Sequence, residues 1–229
     1  MAKRAGYRDR TDAGERLADE VAALVARLPG PPAACLVLGL PRGGVPVAAR
    51  IGARLGAPVD VLVVRKIGAP GHVELAIGAV AAGVTGAGGA PVLNDELIAR
   101  LGLSANQVAV RTDVAGRELA ERCNRLRGDR PSFSATGRTV VVVDDGMATG
   151  ATMRAAVMAL RATAPAAIVV AVPVGAPEAC AALEALVDEL VCPLQPRGFR
   201  AVGQWYDDFS ETTDDEVRRL LDASPGSRS

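Results

Sequence analysis

Val140-Val141-Val142-Val143 is an unbroken β-branched run, and two aspartates and a turn of small residues follow it at once. A strand with one face in water alternates apolar and polar residues. A run without alternation belongs to a strand buried on both faces, the habit of a parallel sheet covered by helices. The chain continues Asp144-Asp145-Gly146-Met147-Ala148-Thr149-Gly150-Ala151-Thr152. A helical segment opens near Gly150 and carries Met153, Val157 and Leu160 at helical spacing. A buried strand therefore feeds a helix through a short turn, with two carboxylates at the strand end.

The rest of the chain repeats that alternation. A helix starts near Thr11 or Asp12, with Leu17, Val21, Leu24, Val25 and Leu28 on one face, and Pro29-Gly30-Pro31-Pro32 stops it. A buried strand is expected over Cys35–Leu40, followed by Pro41-Arg42-Gly43-Gly44. A helix with Val47, Ile51 and Leu55 then ends at Gly56. A second strand is expected over Val59–Val64. Arg65 to His72 reads as a breaker-rich loop. Leu75–Val80 is a third strand, and the glycine-rich Val84–Leu93 holds a short one near its end. A helical section spans about 94–127, and Ser104 with Gln107 forms a capping box for its longer part. A loop covers Gly128–Gly137 before the valine strand. Two further steps follow, with strands at Ala167–Val172 and Glu189–Cys192 and a helix near Pro177–Leu186 between them. An irregular tail covers Pro193–Ser210, and a last helix runs from about Thr213 to Leu221. Strands alternating with helices imply a mostly parallel sheet flanked by helices. No internal repeat or linker splits the chain, so 1–229 reads as one domain with a helical insertion at 94–127 and a C-terminal tail at 193–221.

Ligands of such sheets sit at the C-terminal strand ends, where connections diverge. The turn from Ala148 to Thr152 aims backbone N–H groups and two hydroxyls at one point, which suits a phosphate dianion. Asp144 and Asp145 suit neighbouring hydroxyls or a hydrated divalent cation. A ligand with a phosphate beside a vicinal diol, a ribose 5-phosphate unit, satisfies both halves. The turn Arg42-Gly43-Gly44 also exposes backbone N–H groups after a buried strand, and Arg42 adds a cation suited to bidentate phosphate contacts. If the two strands are neighbours, both turns face one cleft.

The Asp-Asp pair with its Thr-Gly-x-Thr turn resembles the motif of the type I phosphoribosyltransferases that binds 5-phosphoribosyl 1-diphosphate (PRPP). The resemblance runs from Tyr7 to Val217 and points to a bacterial group with no assigned acceptor. It implies that Asp144 and Asp145 hold the ribose hydroxyls and, through water, Mg²⁺. It places the 5-phosphate on Ala148, Thr149, Gly150, Ala151 and Thr152. Pyrophosphate falls on Arg42, Gly43 and Gly44, a loop where some members adopt a non-proline cis peptide. Arg65 and Lys66 become catalytic cations, and the loop from there to Glu74 becomes the flexible lid. His72, the sole histidine, and Glu74 are lid candidates. The acceptor side rests on a hood built from the terminal segments. Phe199, Trp205, Tyr206 and Phe209 are four of the six aromatics of the chain (one Trp, two Tyr, three Phe). Trp205, Tyr206 or Phe209 is a candidate to stack on the acceptor or to pack the tail over the sheet, and Tyr7-Arg8-Asp9-Arg10 is expected to join them.

The implied activity is Mg²⁺-dependent transfer of the 5-phosphoribosyl group from PRPP to a nitrogen acceptor. The alternative is a PRPP-sensing regulator without catalysis. A receiver-type phospho-acceptor domain fits poorly, because its acidic pair follows the first strand. Composition narrows the partners. Lysine plus arginine and aspartate plus glutamate are each 26, and only 3% of residues are aromatic. Neither a nucleic-acid backbone nor stacked bases would find a surface here. The four cysteines lack CxxC spacing, so a zinc site is not expected. No apolar run has membrane-spanning length and no signal-peptide pattern is present, which places the expected setting in the cytoplasm. A homo-oligomer is compatible with this reading.

Overall fold

The computed structural model describes residues 6–28, 35–70, 72–82, 84–85, 91–130 and 132–224, and of residues 72–74, 84 and 85 the backbone alone. Five strands form the central sheet: β1 (Cys35–Gly39), β2 (Val59–Val61), β8 (Thr139–Val143), β9 (Ala167–Ala171) and β10 (Glu189–Val191). Their order is β10-β9-β8-β1-β2, and every pairing is parallel. The chain winds one way from β1 to β2 and the other way from β8 through β9 to β10. The crevice of such a sheet opens where the winding reverses, between β1 and β8.

The valine run does not alternate because both of its faces are covered. Val141 and Val143 join Val37, Val59 and Val169 in one core, with α1 (Arg10–Val25) and α2 (Gly44–Leu55) above them. Val140 and Val142 turn the other way and join Leu36, Leu38 and Val170 beneath α5 (Ala151–Arg161) and α6 (Pro177–Glu184). Local signals set the helix ends. Asp9 caps α1 by accepting from the Asp12 amide, and Gly56 ends α2 in the left-handed conformation. The expected helical section is two helices, α3 (Asp95–Arg100) and α4 (Ala105–Arg127), and both halves of the Ser104–Gln107 capping box are formed. The last helix, α7 (Asp214–Asp222), is capped by Thr213.

One region departs from the sequence expectation. The second strand stops at Val61, and the chain leaves the central sheet. Residues expected to be a loop form β3 (Val63–Ala69), which pairs antiparallel with β4 (His72–Ala82), and β6 (Val92–Leu93) extends this second sheet. Short β5 (Val84–Thr85) and β7 (Phe133–Ser134) pair separately. Local breakers misled the reading because tertiary burial overrides them. Ile67 and Ile77 of the hairpin are buried in the α4-side core, and register shifts at Ile67, Gly68 and Ala69 absorb the irregularity. His72 and Glu74 lie on β4, but their side chains fall outside the described residues.

The terminal segments meet. Tyr7 and Tyr206 form a parallel bridge, with the Tyr7 amide on the Trp205 carbonyl at 2.8 Å and the Asp207 amide on the Tyr7 carbonyl at 2.9 Å. Their rings lie 5.6 Å apart in a small apolar cluster with Ala13 and Val174. Among the described residues, no helix is long and apolar enough to cross a membrane.

Candidate active site

β1 and β8 are hydrogen-bonded neighbours, with Gly39 opposite Val143, and the Leu40 amide donates to the Val143 carbonyl at 2.8 Å. The two turns that follow them therefore leave the sheet side by side. Pro41–Arg42 is a cis peptide. A Cβ on Gly43 would overlap Asp145 Oδ2, and one on Gly44 would come within 2.5 Å of the Val143 carbonyl oxygen and 2.8 Å of Asp144 Cα. Glycine is required there because the first turn lies directly against the acidic pair.

The pair itself is tightly organised. The Asp145 amide donates to Asp144 Oδ1 at 2.9 Å. Arg10 Nε donates to Asp145 Oδ2 at 2.8 Å, and Arg10 Nη1 reaches the Ser210 carbonyl at 2.6 Å. The Arg10 guanidinium rests on the Phe209 ring, 4.0 Å from its centroid. Tyr206 donates its hydroxyl to the Asp145 carbonyl at 2.6 Å and is buried. Burial pushes the Asp144 carboxyl well above the usual range, and the neighbouring Asp145 charge pushes it further. Burial also raises Asp145, against which Arg10 acts.

Beyond the pair, Ala148 and Thr149 are exposed, and Gly150 is left-handed at φ 67° ahead of α5. The backbone from Ala148 to Thr152 lines a cavity of about 220 Å³ with Asp144 and Gly146. Val202 of the C-terminal tail closes one side, so near that a Cβ on Gly146 would overlap its Cγ1. The amides of this helix N-terminus suit an anion, the Ala151 amide meeting Thr149 Oγ1 only at 3.4 Å.

The expected cations have partners. Arg42 pairs with Glu211 and, at 3.4 Å, with Asp214. Arg65 pairs with Glu118 of α4. Lys66 lines a groove of about 430 Å³ with Asn106, Arg111 and Glu118 along the first part of α4. Among the described residues, no hydrogen bond or ion pair joins Lys66 to the acidic pair. Trp205 caps the bridge between the termini through its carbonyl, so both aromatic candidates at 205 and 206 contribute to the packing of the tail. Sequence reasoning missed Arg10 as the partner of Asp145. Its only signal was that Tyr7 to Arg10 needed a place against the core.

Among the described residues, no group of three or more His, Cys, Asp or Glu side chains gathers to hold a metal ion. The acidic pair offers two carboxylates, one already engaged by Arg10. Such a donor set makes no all-protein cage. It suits Mg²⁺, which keeps several waters and takes its other ligands from a phosphorylated substrate.

Comparison with known proteins agrees with this geometry. Residues 12–201 match the family described as the phosphoribosyl transferase domain. Rv0571c of Mycobacterium tuberculosis (strain H37Rv), whose name places it provisionally among the phosphoribosyl transferases, is 44% identical over 218 residues. That match covers 94% of this chain but only 46% of the relative, so the chain spans about half the length of the curated relative. The crystal structure of TT1426 from Thermus thermophilus is 42% identical and superposes with a TM-score of 0.80, covering 94% of this chain and 97% of that one. Family match, parallel α/β architecture and sequence identity agree, and the chain belongs to the phosphoribosyl transferase domain family.

Proposed function

We propose that this chain transfers the 5-phosphoribosyl group of PRPP to a nitrogen acceptor and releases pyrophosphate, with Mg²⁺ as cofactor. The supporting observation is the abutment of three elements at one switch point: the Gly43–Gly44 turn, the Asp144–Asp145 pair and the turn from Ala148 to Thr152. In this reading the amides of Ala148 to Thr152 hold the 5-phosphate, and Asp144 and Asp145 accept hydrogen bonds from the ribose hydroxyls. Arg42 to Gly44 receive the pyrophosphate. Mg²⁺, when bound, neutralises charge on the pyrophosphate oxygens.

The C1–O bond to pyrophosphate breaks, and the leaving group takes the bonding electrons. The ring carries positive charge, which the half-buried carboxylates stabilise. The acceptor nitrogen supplies its lone pair to C1, and any proton it carried leaves to solvent. Arg10 keeps Asp145 oriented during these steps. Positioning supplies much of the acceleration, and no dedicated base is required for an acceptor that is already nucleophilic. The partners in this reading are small molecules, and its setting is the cytoplasm. A PRPP-sensing regulator is the second reading. The pairing of Arg65 with Glu118 and the place of Lys66 in a separate groove along α4 favour it, since a sensor binds PRPP without the hairpin cations acting on the departing pyrophosphate.

Thermal unfolding with PRPP and Mg²⁺ tests binding. A hundredfold excess over the dissociation constant should stabilise the fold by about 2.7 kcal/mol, and ribose 5-phosphate should act more weakly. No response at millimolar PRPP would remove the assignment. Pyrophosphate release with a panel of nitrogen acceptors then separates enzyme from sensor.

A further inference from the structure

We propose that Arg122 of α4 completes, with Arg42 and Arg65, a cationic socket for a diphosphate group. This rests on reading the turn after β1 as the pyrophosphate seat, and it assigns the helical insertion a direct part in binding.

Glu118, Arg122 and Arg125 lie on one side of α4, spaced by four and three residues. Each points to the same neighbourhood. Glu118 holds Arg65 of the hairpin. Arg122 Nη2 donates to the Pro41 carbonyl at 3.4 Å, one residue before Arg42. Arg125 Nε meets Asp214 Oδ2 at 3.3 Å, and Asp214 Oδ1 meets Arg42 at 3.4 Å. The insertion is thus laid across the outer side of the turn whose inner side touches Asp145.

Within this group Arg122 differs from its neighbours. Arg42, Arg65 and Arg125 each have a carboxylate partner. Among the described residues, no acidic side chain forms an ion pair with Arg122. Its hydrogen bond there is the long contact to a neutral carbonyl. Burial lowers its pKa, and the nearby charges of Arg42 and Arg65 lower it further, with the Asp214 carboxylate acting against them. Gathering like charges beside a partly buried guanidinium is unfavourable unless an anion arrives. A guanidinium fork matches two phosphate oxygens at once, and three forks around one turn suit a ligand of high charge density. Glu118, Glu211 and Asp214 offset three of the four guanidiniums here, so the excess charge sits at Arg122, and a diphosphate meets it while offering further oxygens to Arg42 and Arg65.

Calorimetric titration of the full chain tests this with inorganic pyrophosphate plus Mg²⁺, with PRPP plus Mg²⁺ and with ribose 5-phosphate. Arg122→Gln keeps a donor for the Pro41 carbonyl but removes the charge. It should weaken pyrophosphate and PRPP at least tenfold and leave ribose 5-phosphate within twofold. Arg122→Lys should recover part of the loss. Equal losses for all three ligands would mean that Arg122 acts through the fold, and unchanged pyrophosphate affinity would exclude it from the socket while the proposed function stands. Wild-type protein that binds neither PRPP nor pyrophosphate would overturn both readings. A readout on wild-type protein covers the case of a misfolded variant. Pyrophosphate should protect Arg122 from an arginine-specific dicarbonyl reagent, measured by peptide mass, and ribose 5-phosphate should not. Absence of protection by pyrophosphate would overturn the proposal.

Discussion

The turns after β1 and β8 look alike in sequence, each a run of small residues behind a buried strand, yet they use glycine for different reasons. After β8, Gly150 provides a left-handed residue ahead of α5, and a Cβ there would meet Met147 Sδ at 3.2 Å, a tight but yielding neighbour. After β1, Gly43 and Gly44 have no room for a side chain, because the acidic pair and the end of β8 are pressed against them. The β8 turn is open, with Ala148 and Thr149 exposed beside a cavity. The β1 turn is engaged, its arginine already paired with Glu211 and Asp214. A glycine-rich turn is therefore evidence of close backbone approach, and what approaches is decided elsewhere in the chain.

The largest expected effect separates these two uses. Gly43→Ala should cost about 1–3 kcal/mol through overpacking against Asp145. It should also weaken PRPP about 100-fold, near 2.7 kcal/mol, because the turn and the pair move together. Gly150→Ala carries a left-handed penalty of about 1–2 kcal/mol in stability, and its turn should still bind ribose 5-phosphate. Chemical denaturation and titration of both variants measure the difference. Equal binding losses would erase the distinction.

An intermediate effect concerns the charge of the pair. The folded Asp144 holds its proton to higher pH than the unfolded chain does, since burial and Asp145 raise its pKa. Between the ordinary value of 3.8 and the raised folded value, the folded state binds more protons. Stability of the ligand-free protein should therefore fall as pH rises through that window and level off above it. Asp144→Asn should flatten the profile and raise the neutral-pH melting temperature, by about 2–4 °C for each ~1 kcal/mol relieved. It should also weaken PRPP. A variant with an unchanged pH profile would mean that the pair does not store this repulsion.

The smallest effect lies on the engaged side. Glu211 is exposed, and its pair with Arg42 should contribute about 0–1 kcal/mol to stability. Glu211→Gln should leave the melting curve nearly unchanged and tighten PRPP by less than about fivefold, because it frees Arg42 for the ligand. Weaker PRPP binding in this variant would show that Glu211 supports the turn instead of competing for it.

Much of the architecture was legible in the chain itself. The valine run implied a strand covered on both faces, and Val140 to Val143 are all fully buried. Ser104 and Gln107 marked the start of α4, and the turn before Gly150 marked α5. These signals are local: a period, a cap, a left-handed residue. They survive because burial and capping act on neighbours in the chain. The hairpin was not legible. Its glycine, proline and paired charges read as a loop, and only packing against α4 from a distant part of the sequence makes it a sheet.

For this protein, then, the sequence alone determined the parallel α/β layout, the order of the central-sheet strands and their helices along the chain, and the acidic pair with its following turn. Tertiary structure decided how those groups are partnered. Arg10 reaches Asp145 across 135 positions, Arg42 meets Asp214 across 172, and Arg122 meets the Pro41 carbonyl across 81. No periodicity or spacing encodes such meetings, because a charged side chain on a helix surface looks solvated until another element is packed beside it.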